Sequence, residues 1–145
     1  MDRNVQATKG VFVMLTVSRA DVKRKLRITS SEYDAEIDAL IAEMLPALRY
    51  AIEPSYLNSG DADLLATLNL GALEVIAGEM SATLYRELGA WTGFRLGWLQ
   101  VEPPALRNPR DPTGLKAQGY ARLKPFLKRD AQLLYLYRER EEREE

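Results

Sequence analysis

The sequence predicts a mainly α-helical protein: a small helical bundle with a long loop or hairpin arm and an extended C-terminal helix. Three observations carry this expectation. Ile37, Leu40, Ile41, Met44, Leu45 and Leu48 recur at i, i+3, i+4, i+7, i+8 and i+11, which is one apolar face of a helix. A second long apolar-rich stretch runs from about Ala62 to Leu88, between the turn Asn58-Ser59-Gly60-Asp61 and Gly89. The chain has 145 residues, 46% of them apolar and 28% charged, the size and balance of one globular domain. A chain of this length buries roughly 70% of the surface its unfolded form exposes.

Residues 1–17 read as an N-terminal arm. The longest apolar run, Val11 to Val17, is far shorter than the roughly 20 residues of a transmembrane helix. Arg3 and Lys9 precede it as in a signal peptide, but Arg19, Lys23, Arg24 and Lys25 crowd behind it. That pattern suits an extended arm or short strand entering the first helix. The helix is expected from about Arg19 to Leu26, with Ser18 as N-cap and Asp21 closing a loose capping box. Val22 and Leu26 share one side, with Lys23, Arg24 and Arg27 on the others. Thr29-Ser30-Ser31 ends it.

In the second helix Ser31 is the expected cap and Asp34 the box carboxylate. Glu32, Asp34, Glu36 and Asp38 load its first turns with charge the helix dipole favours. Pro46 removes one backbone hydrogen bond and predicts a kink; the segment ends near Ile52, before Pro54. Asp61 caps the third helix, with Leu64, Leu65, Leu68, Ala72, Val75, Ile76, Ala82 and Tyr85 expected on its buried side. Gly71 and Gly78 read as close packing contacts and Gly89 as the C′ residue. Residues 18–88 are thus the expected helical core of a single domain spanning 1–145.

Residues 89–114 hold four glycines and four prolines and read as a loop or arm. Phe94 to Val101 suits one strand of a hairpin or an extended arm. Trp91, Phe94 and Trp98 stand there among Arg95, Arg107 and Arg110. They suit a contact surface, or the tryptophans fold back onto the core. Helicity resumes near Leu115, with Tyr120, Leu123, Phe126 and Leu127 apolar and Pro125 as a divider. Residues 115–145 are the expected C-terminal helical arm and charged tail, with Leu133, Leu134, Leu136 and Tyr137 ahead of a polar run from Arg138.

The chain contains no cysteine and no histidine. Disulfides, thiol nucleophiles, thiolate zinc sites, Ser-His-Asp triads and HExxH helices are thereby excluded. No glycine-rich phosphate loop is present, and no cofactor is expected. A carboxylate-only divalent-metal site stays open, but Glu36 and Glu43 lie on the solvent side of their helix. The net charge of −1 hides four blocks: +5 over residues 1–30, −9 over 31–88, +6 over 89–138 and −3 over 139–145. Such blocks either pair within one fold or meet copies of the same chain, basic face to acidic face.

The first two helices outline a helix-turn-helix. The second, which would enter the major groove, carries Asp34, Glu36, Asp38 and Glu43, a sign that phosphates repel. A DNA-binding regulator or small DNA-packaging subunit using these helices is therefore the alternative reading.

Leu15 to Ile28 resembles the opening of tailed-phage head–tail connector proteins, also called adaptors or head-completion proteins. The family's valine-lysine pair and Leu-Arg-Ile element correspond to Val22-Lys23 and Leu26-Arg27-Ile28. Asp34-Ala-Glu-Ile-Asp-Ala-Leu-Ile41 and Ala82-Thr-Leu-Tyr-Arg-Glu87 resemble the family's next helix and its later alanine-rich turn. The match covers roughly residues 14–88. Family members often carry Asp directly after Leu-Arg-Ile, where Thr29-Ser30-Ser31 stands here, and residues beyond Gly89 are longer and richer in proline.

The resemblance implies a helical bundle without catalysis. It would assemble with itself as a dodecameric ring on the portal protein, extend the DNA channel and dock a stopper or tail component. Its place would be the virion neck, after synthesis in the host cytoplasm, with no membrane contact. Charge sign then suggests that Asp34, Asp38, Glu79 and Glu87 face Lys23, Arg24 and Arg27 of a neighbour. Tyr120, Phe126, Leu133, Leu134 and Tyr137 are the expected portal-docking anchors. Arg95, Arg107 and Arg110 are expected near the DNA path, through weak, sequence-independent phosphate contacts.

Overall fold

A computed structural model describes residues 15–87, 94–96, 99–101 and 110–130. The protein is mainly helical, as the periodicity predicts. Helix α1 spans Arg19–Leu26. The Ser18 hydroxyl accepts the Asp21 N–H at 3.1 Å, satisfying one of the orphan donors at the helix start. Arg27 closes the helix at φ 58°, and the Ile28 N–H returns to the Lys23 carbonyl at 2.9 Å. Val22 and Leu26 are fully buried.

Helix α2 spans Asp34–Ala51. Its cap differs from the expected capping box. Tyr33 is the N-cap residue and makes no side-chain cap bond. Ser31 contributes only its carbonyl, to the Asp34 N–H at 3.2 Å. The Asp34 carboxylate that would complete a box is held by Lys23 instead. Ile37 and Leu48 are buried, while Leu40, Ile41, Met44 and Leu45 pack half-buried against the core. The apolar stripe thus faces inward. A four-residue helix, α3, follows at Pro54–Leu57; nothing in the periodicity of so short a segment distinguishes it from a turn.

Helix α4, Ala62–Glu87, starts where Asp61 accepts the Asp63 and Leu64 N–H groups at 3.0 and 3.3 Å. Gly60 precedes it at φ 77°, a conformation that suits glycine. Leu64 and Leu65 are half-buried. Beyond them α4 is buried on several sides: Leu68, Val75, Ile76, Ala77, Met80, Leu84 and Tyr85 are all at 0–1% exposure. It is the central helix, with α1, α2 and α3 packed on it. By length and composition it would also qualify to cross a membrane. Its burial beneath the other helices supplies a sufficient reason for that apolar character.

Two short strands, β1 (Phe94–Leu96) and β2 (Leu99–Val101), pair antiparallel with Phe94 opposite Val101. Both arms of a hairpin therefore fall within the segment expected to hold one strand or an extended arm. Helix α5, Leu115–Leu123, runs into a 3₁₀ turn at Lys124–Phe126, where Pro125 ends the α-helical pattern. Asp111 caps α5, its carboxylate accepting the Lys116 and Ala117 N–H groups at 3.0 and 2.9 Å.

The segment 115–127, the start of the expected C-terminal helical arm, packs as part of the core. Leu123 and Leu127 are buried in the main cluster. Backbone bonds from Glu53 N–H to the Phe126 carbonyl and from Lys128 N–H to the Ala51 carbonyl, at 2.9 and 2.8 Å, tie it to the end of α2. Three glycines allow α5 to lie on α4. A Cβ on Gly119 would come within 2.7 Å of the Gly71 carbonyl oxygen and the Val75 nitrogen. One on Gly78 would come within 2.8 Å of the Lys116 Cα. The helices meet nearly backbone to backbone, so Gly71 and Gly78 are the packing contacts their sequence context predicts.

Candidate functional site

The charges expected to meet across a subunit boundary mostly meet inside the chain. Lys23 Nζ lies 2.8 Å from Asp34 Oδ1. Arg19, which the expected pairing did not include, donates to Asp38 through Nε, at 2.9 Å to Oδ1, and through Nη2, and its Nη1 reaches Asp34 at 3.4 Å. Arg24 pairs with Asp21 on its own helix. Glu79 accepts Lys116 Nζ at 2.8 Å. These bonds join α1 to α2 and α4 to α5. Among the described residues Arg27 and Glu87 have no ion pair, and both are exposed.

The same pairs set the local electrostatics. The hydrogen bond from Arg19 holds the Asp38 carboxyl below the usual carboxylate range. Arg24, then Ser18, lowers Asp21 in the same way. Hydrogen bonding favours the charged form of each. Tyr33 is displaced upward, first by burial and then by the negative charges of Glu32, Glu87 and Glu36. Glu32 and Glu36 flank Tyr33 in sequence at the start of α2, and both are exposed.

Among the described residues the least exposed charge is Glu74 on α4, whose side chain is 1% exposed. Arg122 donates to it at 2.7 and 3.3 Å, and Gln118 Nε2 donates to the same carboxylate. Glu74 raises the Arg122 pKa through that hydrogen bond. Both lie on the α4–α5 seam, where Ser81 and Thr113 hydroxyls also meet at 3.2 Å. A buried carboxylate that accepts from both Arg122 and Gln118 between two core helices fixes their register.

Of the residues expected to dock a portal, Tyr120 and Phe126 are half-buried against the core. Phe126 stacks edge-on with Tyr56 at 5.2 Å between ring centroids. Leu133, Leu134 and Tyr137 lie outside the described residues. Of the residues expected near DNA, Arg95 sits in β1 opposite Gln100, Arg110 is exposed and Arg107 lies outside the described residues, as do Trp91 and Trp98.

An open groove of about 630 Å³ lies between α1 and α4. Arg24, Lys25 and Arg27 rim it, together with Asp21; Ala66, Leu70 and Leu73 form its floor. Asn69 ties the floor to the chain before α1 by accepting the Thr16 N–H at 3.0 Å. A second hollow of about 250 Å³ shares Ala66 and Asn69 and continues toward Tyr56 and Leu65. Leu65 and Leu70 are half-buried yet stand outside the main apolar cluster. Among the described residues no group of three or more Asp or Glu is placed to hold a metal ion. No family model, curated protein or solved structure matches the chain.

Lys25, Glu32 and Glu36 carry charge that the sequence pairing did not use, and among the described residues no ion pair holds them. Their sequence setting gives the reason: Lys25 sits in a run of basic residues, and the glutamates serve equally as dipole-favoured charges at a helix start.

Proposed function

We propose that the chain is a head–tail adaptor subunit of a tailed phage, forming a ring on the portal, extending the DNA channel and docking the next neck or tail component. The observation that carries this reading is the meeting of three stretches that resemble the family. Leu15, Val17, Val22 and Leu26 from the first, Ile37 from the second and Leu84 from the third share one apolar cluster. The resemblance therefore falls on a packing unit, with its apolar positions inside, rather than on three unrelated surface segments. Such a subunit works by contact and performs no catalysis. Its partners are copies of itself, the portal protein, a stopper or tail component and, without sequence preference, the passing DNA. Its working place is the virion neck.

The test is the size and mass of the protein with and without purified portal protein. A stable complex holding many copies per portal is expected. Absence of any complex, together with sequence-specific duplex binding by a free dimer, would replace this reading with that of a DNA-binding regulator.

A further inference from the structure

We infer that the groove between α1 and α4 is the docking site of the chain's own C-terminal segment, residues 133–145. Leu133, Leu134 and Tyr137 meet its apolar floor, and the glutamates that follow meet Lys25 and Arg27 on its rim.

The groove calls for an occupant with two chemistries in a fixed order. Its floor is Ala66, Leu70 and Leu73, and on its rim Lys25 and Arg27 have no acidic partner among the described residues. The smaller hollow shares Ala66 and Asn69 with it and continues past Leu65 to Leu57 and Tyr56. The two form one trough, apolar at the Tyr56 end and basic at the other. From Leu65 to Leu73 it runs about 12 Å along α4 at the helical rise. The last stretch of the sequence has the same order: Leu133-Leu-Tyr-Leu-Tyr137 first, then Arg138-Glu-Arg-Glu-Glu-Arg-Glu-Glu145. Its final seven residues carry a net charge of −3, opposite in sign to the rim.

The described chain ends close to the apolar mouth of this trough. The Phe126 ring lies edge-on to Tyr56 at 5.2 Å. Two residues on, the Lys128 N–H is bonded to the Ala51 carbonyl at 2.8 Å, and Lys128 Nζ stands 3.8 Å from the centre of the Tyr50 ring. The last described residue, Asp130, follows directly. Residues 131–145 span about 22 Å even at the helical rise, enough to cover the trough from end to end. So short a tether holds the segment near its own groove at about millimolar effective concentration, which favours it over the same segment of another copy. Nucleic acid fits less well, because a phosphate backbone gains nothing from an apolar floor and is repelled by Asp21 on the rim. For its biological setting the inference rests on the adaptor reading above. Leu133, Leu134 and Tyr137 are the anchors expected to dock portal protein, so a segment held in the groove keeps them covered until the portal competes for them.

Because the chain has no cysteine, Glu145→Cys lets a nitroxide be attached at the end of the segment and nowhere else. In the isotope-labelled full chain, the amide signals of Asn69, Leu70 and Leu73 are expected to be lost while the nitroxide is oxidised and to return when it is reduced. Adding Lys25→Glu and Arg27→Glu is expected to restore the signals. Adding Glu141→Lys and Glu142→Lys to that variant is expected to remove them again, which a groove damaged by the first exchange would not do. Signals that survive beside the nitroxide, or a loss that ignores the charge exchange, would overturn the inference. So would the same loss in a nitroxide-free labelled chain mixed with nitroxide-bearing unlabelled copies, since the segment would then come from another molecule. Purified portal protein separates the two readings. It is expected to return the groove signals, and a portal-bound chain whose signals stay lost refutes the competition for the anchors. A segment seated in the groove of a chain that ignores portal refutes the adaptor reading alone. Portal binding by a chain whose groove signals never change refutes the groove alone.

Discussion

Gly119→Ala tests the α4–α5 contact most directly, because intrinsic propensity and packing predict opposite signs. Gly119 lies inside α5, where alanine is favoured over glycine by about 1 kcal/mol. The added Cβ would stand 2.7 Å from Gly71 O, Val75 N and Val75 Cγ2, well inside the 3.4 Å at which ordinary contact begins. Two of those atoms are backbone of the central helix, so no rotamer change relieves the clash. Helix α5 must move away from α4 as a unit, loosening Arg122 and Gln118 on Glu74 and Lys116 on Glu79. Overpacking a close-packed contact costs about 1–3 kcal/mol, and the backbone blockage puts this site at the upper end. After the propensity gain, a net loss of about 2 kcal/mol remains. At roughly 3 °C per kcal/mol for a chain of this size, Tm falls by about 6 °C.

Urea unfolding followed by circular dichroism measures the stability change, with the midpoint lowered and the slope unchanged. Ala121→Gly, at an exposed position of the same helix, isolates propensity and should cost about 1 kcal/mol. Gly71→Ala meets Leu123 side-chain atoms at 2.7 Å, which can rotate aside, so its loss is smaller. A Gly119→Ala variant as stable as wild type, or less damaged than Gly71→Ala, refutes the contact.

Three further outcomes follow from the same structure. Glu74→Ala leaves Arg122 and Gln118 without their shared acceptor and should cost about 3 kcal/mol, whereas replacing Glu74 and Arg122 together by Met and Leu should be nearly neutral; chemical denaturation of the two variants decides it. Removing residues beyond Lys116 takes away Leu123 and Leu127 of the core and Arg122 of the seam, so the truncated chain should lose its cooperative unfolding transition and most helical signal by circular dichroism. Asp21 and Asp38 have carboxyls lowered from 3.8 in the folded chain, so below that value the unfolded state binds more protons and folding stability falls as pH falls. Asp21→Asn and Asp38→Asn should flatten that acid limb while lowering stability near neutrality, as read from urea midpoints across an acid pH series.

The helices were legible where a local signal fixed them. Ser18 before Arg19 and Asp61 before Ala62 both form the cap bonds their spacing predicts, and the Ile37-to-Leu48 stripe faces the core. Long-range consequences were not legible in the same way. Glu74 is a carboxylate within an apolar-rich helix, and the groups that pair with it stand 44 and 48 positions away. Residues 115–127 read as an arm because their anchor is complementary shape. Gly71, Gly78 and Gly119 become informative only when α4 and α5 are side by side. The Ser31 box failed for a related reason: Asp34 had a stronger, charged partner in Lys23 than the backbone of its own turn.

That competition also determines what the charge blocks can do. A basic N-terminal block and an acidic second block look, in sequence, like two faces waiting for neighbours. In the fold their nearest members neutralise one another: Lys23 with Asp34, and Arg19 with Asp38. These pairs fasten α1 across α2 and are exposed enough to add only modestly to stability. Their greater effect is to select which charges remain for a partner. Among the described residues Lys25 and Arg27 have no acidic partner, and Glu32, Glu36 and Glu87 have no basic one. Block charge alone would predict a diffuse, salt-sensitive attraction between any two copies. Internal pairing takes Arg19, Lys23, Asp34 and Asp38 out of that attraction, so the block charge that can act on another molecule is smaller than the sequence suggests.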